Sequence, residues 1–300
     1  MGSRVPLPPH LILGPFTSRS GAQAGLGRDR LRGPDLERPF RGVRSPVAVT
    51  TLRQRCEAFQ LRMPPDAFFC SATAAGLLAV PLPARLEASP LLHVAVPAPR
   101  RALTATGVIG HKLQVSDDDL RSFRGLPACK PELVWCQLAT IMSLPDLVAA
   151  GDYLIHWRSP TTTLPLLREA VDAHPGRRGK VALRLALELL NDRSESRKES
   201  QLRVVLVQAG LAGIIANLEI TTSGGWNYRA DLAIPRHKVI IEYQSDYHRD
   251  SVQFRADMTR ISRLEADGWF VIQVNADDLR HPNELVQRVR TVLAGRPSFA

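Results

Sequence analysis

With 300 residues the chain has the length of about two ordinary domains, and its 44% hydrophobic and 23% charged residues exclude wholesale disorder and a fibrous repeat. Lys and Arg number 39 against 29 Asp and Glu, a net charge of +10, and only five of the 39 are lysines, leaving 34 arginines. The planar arginine fork suits phosphate, so this balance points to a nucleic-acid partner, while a GC-rich genome would also favour arginine codons.

Residues 1–15 are apolar but broken by prolines, and are read as a flexible leader rather than a secretory signal. In residues 16–48, TSRSGAQAGL and GRDRLRG form two short helical patterns punctuated by glycine, followed by DLERPFRGV. Helix, tight turn and Arg-bearing second helix are the parts of a helix-turn-helix or winged-helix-like DNA reader; a small Arg-rich cap with solvated charges is the equally open reading. The first fifty residues carry eight arginines against three acids, half of the chain's excess charge. Arg28, Arg30, Arg32 and Arg41 are the expected DNA contacts.

Residues 49–195 are expected to form an α/β middle domain. LRQRCEAFQLRM predicts a helix, and SATAAGLL a short one capped by Ser71 and stopped by Pro81 and Pro83. LLHVAVP and GVIGHKL predict strands; ELVWCQLATIMS, LPDLVAAGDYLIH and VALRLALELL predict helices. His93 and His111 each stand singly in a strand pattern and are read as structural. Cys56, Cys70, Cys129 and Cys136 lack the Cys-x2-Cys spacing of a zinc site and read as reduced thiols. No run approaches the ~18 apolar residues of a membrane span, so a cytoplasmic protein with no membrane partner is expected.

From Ser196 the pattern predicts helix, three strands, helix, strand, helix, at about 197–209, 214–221, 226–234, 238–244, 251–267, 269–275 and 282–294. If Ile234 pairs with Val239 across a turn near Pro235 to His237, Asp231 faces Glu242, and Gln244 shares the face of Glu242. Opposed carboxylates repel unless something positive lies between them. A divalent ion, Mg2+ or Mn2+, held by Asp231 and Glu242 meets that need and suits phosphodiester hydrolysis. A one-residue slip of register would turn one acid to solvent instead. Glu199 admits two roles, a third site acid and the far end of a Ser196-x-x-Glu199 capping box. His248 admits a phosphate or proton-transfer role and a plain surface one. In the next helix Phe254, Met258, Ile261 and Leu264 form an apolar stripe, with Arg255, Arg260 and Arg263 on other faces.

Through ESQLRVVLVQAGL, RADLAIPRHKVIIEYQSDYHR and the run from Asp257 through Arg260 to DGWFVIQVNADDL, residues 196–294 resemble the Vsr-like domain-of-unknown-function branch of the PD-(D/E)XK nuclease superfamily. The resemblance covers about a third of the chain. It implies a restriction-endonuclease-like α/β (α+β) fold over residues 196–300, with Asp231 as the motif aspartate, Glu242 as the following carboxylate and Glu199 as the helix acid. Gln244 departs from the superfamily's usual lysine, and an amide lends no positive charge to a transition state; some restriction enzymes resembling this fold use glutamine there. The N-terminal two thirds, through FTSRSGAQAGLGRDRLRG, PFRGV, FFCSATAAGLLAVPLP, LLHVAVP and LVAAGDYL, resembles AbiEi-type antitoxins or transcriptional regulators of actinobacteria, which implies a winged-helix-like region ahead of the middle domain.

Two functions follow as expectations. One is a metal-dependent DNA endonuclease using Glu199, Asp231, Glu242, Gln244 and His248. The other is a DNA-binding regulator of a type IV toxin-antitoxin-like system, with a cognate toxin as partner and an inactive nuclease fold. Residues 196–300 carry fourteen Lys and Arg against twelve Asp and Glu, only +2 of the +10, so under either the phosphate-attracting charge lies mostly ahead of the site.

Overall fold

Apolar residues recur at sheet and helix periods along the whole chain. The computed structural model, which describes residues 5–244 and 251–299 (backbone alone for 251–254), gathers them into two compact units divided between Leu138 and Ala139. Both units mix helices with sheets, the α/β class expected.

In the first unit β1 (Phe16–Thr17) leads straight into α1 (Ser18–Gln23), whose N-terminus is capped by Thr17 Oγ1 accepting the Ser20 N–H at 2.9 Å. β1 pairs antiparallel with β2 (Val43–Arg44), closing a small cluster of Leu11, Phe16, Leu26, Leu31 and Leu36. The expected second helix is a single 3-10 turn, Arg30–Arg32. Gly25 at φ +84° ends the first segment after six helical residues, and Gly33 followed by Pro34 stops the second. Arg28 to Arg32 therefore present no helix long enough to lie in a major groove, and the helix-turn-helix expectation is corrected here.

After α2 (Leu52–Gln60) the chain builds a five-stranded sheet from β3 (Phe68–Phe69), β4 (Leu92–Pro97), β5 (Val108–Leu113), β6 (Leu120–Phe123) and β7 (Leu126–Cys129), in the order β5-β4-β3-β7-β6. β3 and β7, and β4 and β5, run parallel; β3 with β4 and β6 with β7 run antiparallel. α3 (Ser71–Leu77) and α4 (Ala84–Glu87) follow β3, and α5 (Pro131–Leu138) closes the unit. Phe59, Phe68, Phe69 and Trp135 are buried in it, each worth roughly 2–3 kcal/mol of apolar burial. Ser71 does not cap α3 as expected: Cys70 occupies the cap, and Ser71 is the first helical residue, at φ +48°, its N–H donating to Gln137 Oε1 at 2.6 Å. His93 Nδ1 and His111 Nε2 lie 3.0 Å apart on neighbouring strands, and burial followed by His111 pushes His93 down to about 4. The four cysteines are buried, and none forms a disulfide among the described residues.

The sequence put the main boundary at 195/196, yet three helices before it belong to the second unit: α6 (Leu144–Leu154), α7 (Leu164–Ala173) and α8 (Lys180–Leu189). The reason is polar. α9 (Arg197–Gln208) docks on α6 through Asp152, 1% exposed, which accepts Ser200 Oγ, Arg203 Nη2 and the Asn191 N–H, each at 2.7 Å. Asp146 likewise accepts Arg197 and Gln201. Neither contact follows an apolar period, so the helices read as separate.

The four-stranded sheet that follows runs β11-β10-β9-β8: β8 (Ile215–Thr221), β9 (Asn227–Ile234) and β10 (Val239–Tyr243) pair antiparallel in turn, and β11 (Phe270–Val274) joins β10 in parallel. α10 (Ser251–Ala266) crosses one face, burying Leu264 against Ile220, Ala230 and Ile240. On the other face α9 and α12 (Pro282–Ala294) bury Leu202, Leu206, Leu285 and Val289 against Leu232, Val239 and Ile241; the short α11 (Ala276–Arg280) precedes α12. Among the described residues no helix is long and apolar enough to cross a membrane.

Candidate active site

The β9–β10 turn is a 3-10 turn over Pro235–His237, closed by Lys238 at φ +48°. It sets the register Ile234↔Val239, Ala233↔Ile240 and Leu232↔Ile241, which ends one step short of Asp231 and Glu242. The ladder gives way at that step. Asp231 Oδ2 itself accepts the Tyr243 N–H at 2.9 Å, so a side chain replaces a strand carbonyl and turns the carboxylate across β10. Side-chain alternation is also broken here: Ala230 packs under α10, while Leu232, two residues on, packs under α9. On β8 the matching break is Asn217, at φ +50°, a conformation asparagine tolerates better than most residues.

Asn217 uses that position. Its Nδ2 donates to Glu199 Oε2 at 2.9 Å and to the Arg193 carbonyl at 2.7 Å. Glu199, in the first turn of α9 and 8% exposed, also accepts the Glu195 N–H at 3.0 Å, while Ser196 Oγ accepts the Glu199 N–H at 3.1 Å. The capping box is thus displaced by one residue, since Glu199 reaches Glu195 and not Ser196. Capping and site roles coexist in one carboxylate. Ser196→Ala is expected to lower stability by about 1 kcal/mol in urea unfolding, the usual loss for a missing N-cap.

Three acids are brought together. Asp231 is raised from its usual 3.8 to about 6, first by burial, then by Glu199, with Glu242 adding to the rise; the Tyr243 N–H and Arg260 oppose it. Glu242, 4% exposed, points to the α10 face, where Arg260 grips it with both forks: Nη1 to Oε1 and Nη2 to Oε2, each 2.5 Å. Asp257 lies 3.7 Å from Arg260 Nε. The positive charge expected between the opposed acids is therefore a guanidinium, on a residue that the helical period had turned to another face. The signal that could have found it is length: an arginine flanking the apolar stripe reaches back onto the sheet.

Of the pair expected to hold a metal, Asp231 and Glu242, the latter has both oxygens bonded to Arg260. Three carboxylates against one guanidinium still leave an excess of negative charge, and hard oxygen donors fit a divalent cation such as Mg2+. Asp231 and Glu199 are the residues that would hold it. Among the described residues no group of three His, Cys, Asp or Glu is arranged to do so alone. Gln244 continues the pairing beyond β10, its N–H donating to the Val274 carbonyl at 2.6 Å, and its side chain is half-buried. His248 lies outside the described residues.

In the first unit Arg28, Arg32 and Arg41 are exposed as expected of phosphate contacts. Arg30 is not: its fork is engaged by Asp35 at 2.8 and 3.1 Å, its Nε donates to the Val5 carbonyl at 2.6 Å, and its side chain is 10% exposed. Two arginines that the sequence reading passed over stand with the exposed ones. Arg44 is pushed down by burial, then by Arg38 and Arg32, which marks three guanidiniums gathered close together.

No protein-family profile matches the chain. It is 29% identical over 237 residues to the uncharacterized proteins MT2308 and Rv2248 of two Mycobacterium tuberculosis strains, in each case over 78% of this chain and 84% of the relative. Among solved structures, the crystal structure of RV2827C protein from Mycobacterium tuberculosis is similar over 63% of this chain and 75% of that one, with 17% sequence identity and a TM-score of 0.40.

Proposed function

We propose that the chain is a DNA-binding protein that hydrolyses phosphodiesters, a metal-dependent DNA endonuclease acting in the cytoplasm. The observation that carries the reading is Asp231, kept near 6 by burial beside Glu199 and Glu242 where a sheet gains nothing from carrying acids. The order of elements from α9 to β11, with Asp231 and Glu242 on neighbouring antiparallel strands and Glu199 on the helix before them, supports the nuclease-type fold to which the motifs point.

Asp231 and Glu199 would hold Mg2+ or Mn2+, which supplies Lewis-acid chemistry at a phosphate oxygen and a more acidic water. Arg260 fixes Glu242 on the α10 face. The Gln244 amide has a donor and an acceptor with which to orient a water, and no charge to offer the transition state. Exposed Arg28, Arg32 and Arg41 attract the DNA backbone from the other unit. The expected result is Mg2+- or Mn2+-dependent nicking of supercoiled plasmid, abolished in Asp231→Ala. Cleavage that survives in Asp231→Ala removes these residues from the chemistry.

A second reading has its own support. Arg260 already neutralises Glu242, and Gln244 stands where a lysine would complete the site, which suits a DNA-binding regulator of the antitoxin type carrying a silent nuclease fold and answering to a partner toxin. Salt-sensitive duplex binding with no nicking in any divalent metal is the result that selects it.

A further inference from the structure

We propose that Trp157, Arg158, Arg193 and Arg229 form a second phosphate-gripping surface, which holds the backbone of a DNA strand beside the acidic site of the C-terminal unit. The proposal deepens the DNA reading above and stands whether or not the strand is cut.

Trp157 follows α6 and is 44% exposed, an unusual position for an indole unless something covers it. Two guanidiniums do: the Cζ atoms of Arg158 and Arg193 each lie 4.7 Å from the ring centroid. Their side chains remain 54% and 57% exposed. A guanidinium stacked on an indole keeps its in-plane N–H edges for an acceptor, and stacking restrains its rotamers, so less freedom is lost when phosphate binds. The surface already shows how it takes an anion. The Glu195 carboxylate lies between two arginines, Oε2 accepting Arg229 Nη2 at 2.7 Å and Oε1 lying 3.7 Å from Arg158 Nη1.

The backbone ties this surface to the site. The Trp157 N–H donates to the Asp192 carbonyl, the Arg193 carbonyl accepts Asn217 Nδ2, and Asn217 and the Glu195 N–H both donate to Glu199 Oε2. One hydrogen-bonded segment, 192–199, thus carries two of the clamp arginines' supports at one end and a site acid at the other. With guanidiniums over the indole, base stacking is not the mode of contact. The clamp reads charge, so its grip is independent of DNA sequence.

The test is fluorescence anisotropy with a labelled 25-bp duplex in EDTA, from 50 to 200 mM NaCl. Arg158→Gln/Arg193→Gln is expected to weaken binding roughly tenfold at the upper salt and to flatten the slope of log K against log salt by roughly 2, two phosphate contacts' worth. Trp157→Leu keeps both charges, so it is expected to weaken binding less and leave the slope unchanged. Melting curves identify any variant that has unfolded, and the single variants Arg158→Gln and Arg193→Gln, each expected to flatten the slope by roughly 1, then replace it. An unchanged affinity and slope in the double Gln variant overturns the clamp even if the wild type nicks plasmid. Loss of binding to a polyglutamate peptide with the DNA slope unchanged overturns it in favour of an acidic protein partner. Loss of nicking in Asp231→Ala with the EDTA slope intact separates the clamp from the chemistry, and the clamp stands.

Discussion

Arg260→Met is expected to lower the stability of the protein by about 3–5 kcal/mol, the loss seen when one partner of a buried ion pair is removed and the other stays behind. The side chain of Glu242 is 5% exposed and that of Arg260 24%, so the deserted charge would be the carboxylate, which water reaches least. Both Glu242 oxygens lose their donors at once, and Asp231 loses one of the two groups that hold its value down. Urea unfolding at pH 7 measures the change. The double variant Arg260→Met/Glu242→Leu is expected to recover most of it, since well-packed apolar residues often replace a buried pair at little cost. A single-variant loss under about 1 kcal/mol, the size of an exposed pair, would show that Glu242 finds water or another donor as soon as Arg260 leaves.

The same pair marks where sequence reading ends. Seven of the elements between 197 and 294 were legible because alternation, apolar period and turn residues agree over that stretch, and the Ile234–Val239 register followed from the position of Pro235. Legibility of α11 was there to be used and was not: Asn275 accepts the Asp277 and Asp278 N–H groups, and Asp278 reaches back to the Asn275 N–H, a capping box readable as Asn-x-x-Asp. The nearness of Asp231 and Glu242 at the end of that register was legible too, and what neutralises Glu242 was not. Periodicity reports which face of a helix is apolar; it is silent on how far an arginine beside that face can reach. Composition misled in the same way at Arg30, where a phosphate fork was expected and an aspartate five residues on had taken it. Asp146 and Asp152 carry no signal in an apolar period, yet they bind α9, and the unit boundary falls at 138/139 and not at 195/196.

Asp231→Asn is expected to make the protein more stable at pH 7.5, by about 2–3 kcal/mol. An acid whose folded-state value rises from 3.8 to about 6 is harder to ionise in the fold than in the unfolded chain. Below pH 3.8 it is protonated in both states and costs nothing. As pH climbs through the interval the fold is penalised, and above pH 6 the penalty is complete, about 3 kcal/mol for a shift of two pKa units. Asparagine keeps an oxygen for the Tyr243 N–H and drops the charge that Glu199 and Glu242 repel. The gain must therefore vanish in urea unfolding at pH 3.5, and a variant less stable than wild type at pH 7.5 would mean that the charge on Asp231 is fully compensated inside the fold. Added Mg2+ sharpens the comparison, because a ligand that binds only the folded state raises its stability. Millimolar Mg2+ is expected to close the gap by stabilising the wild type and to leave Asp231→Asn where it was. A residue that weakens its own fold at neutral pH, and does so less when a divalent ion is present, is held for binding and chemistry rather than for folding.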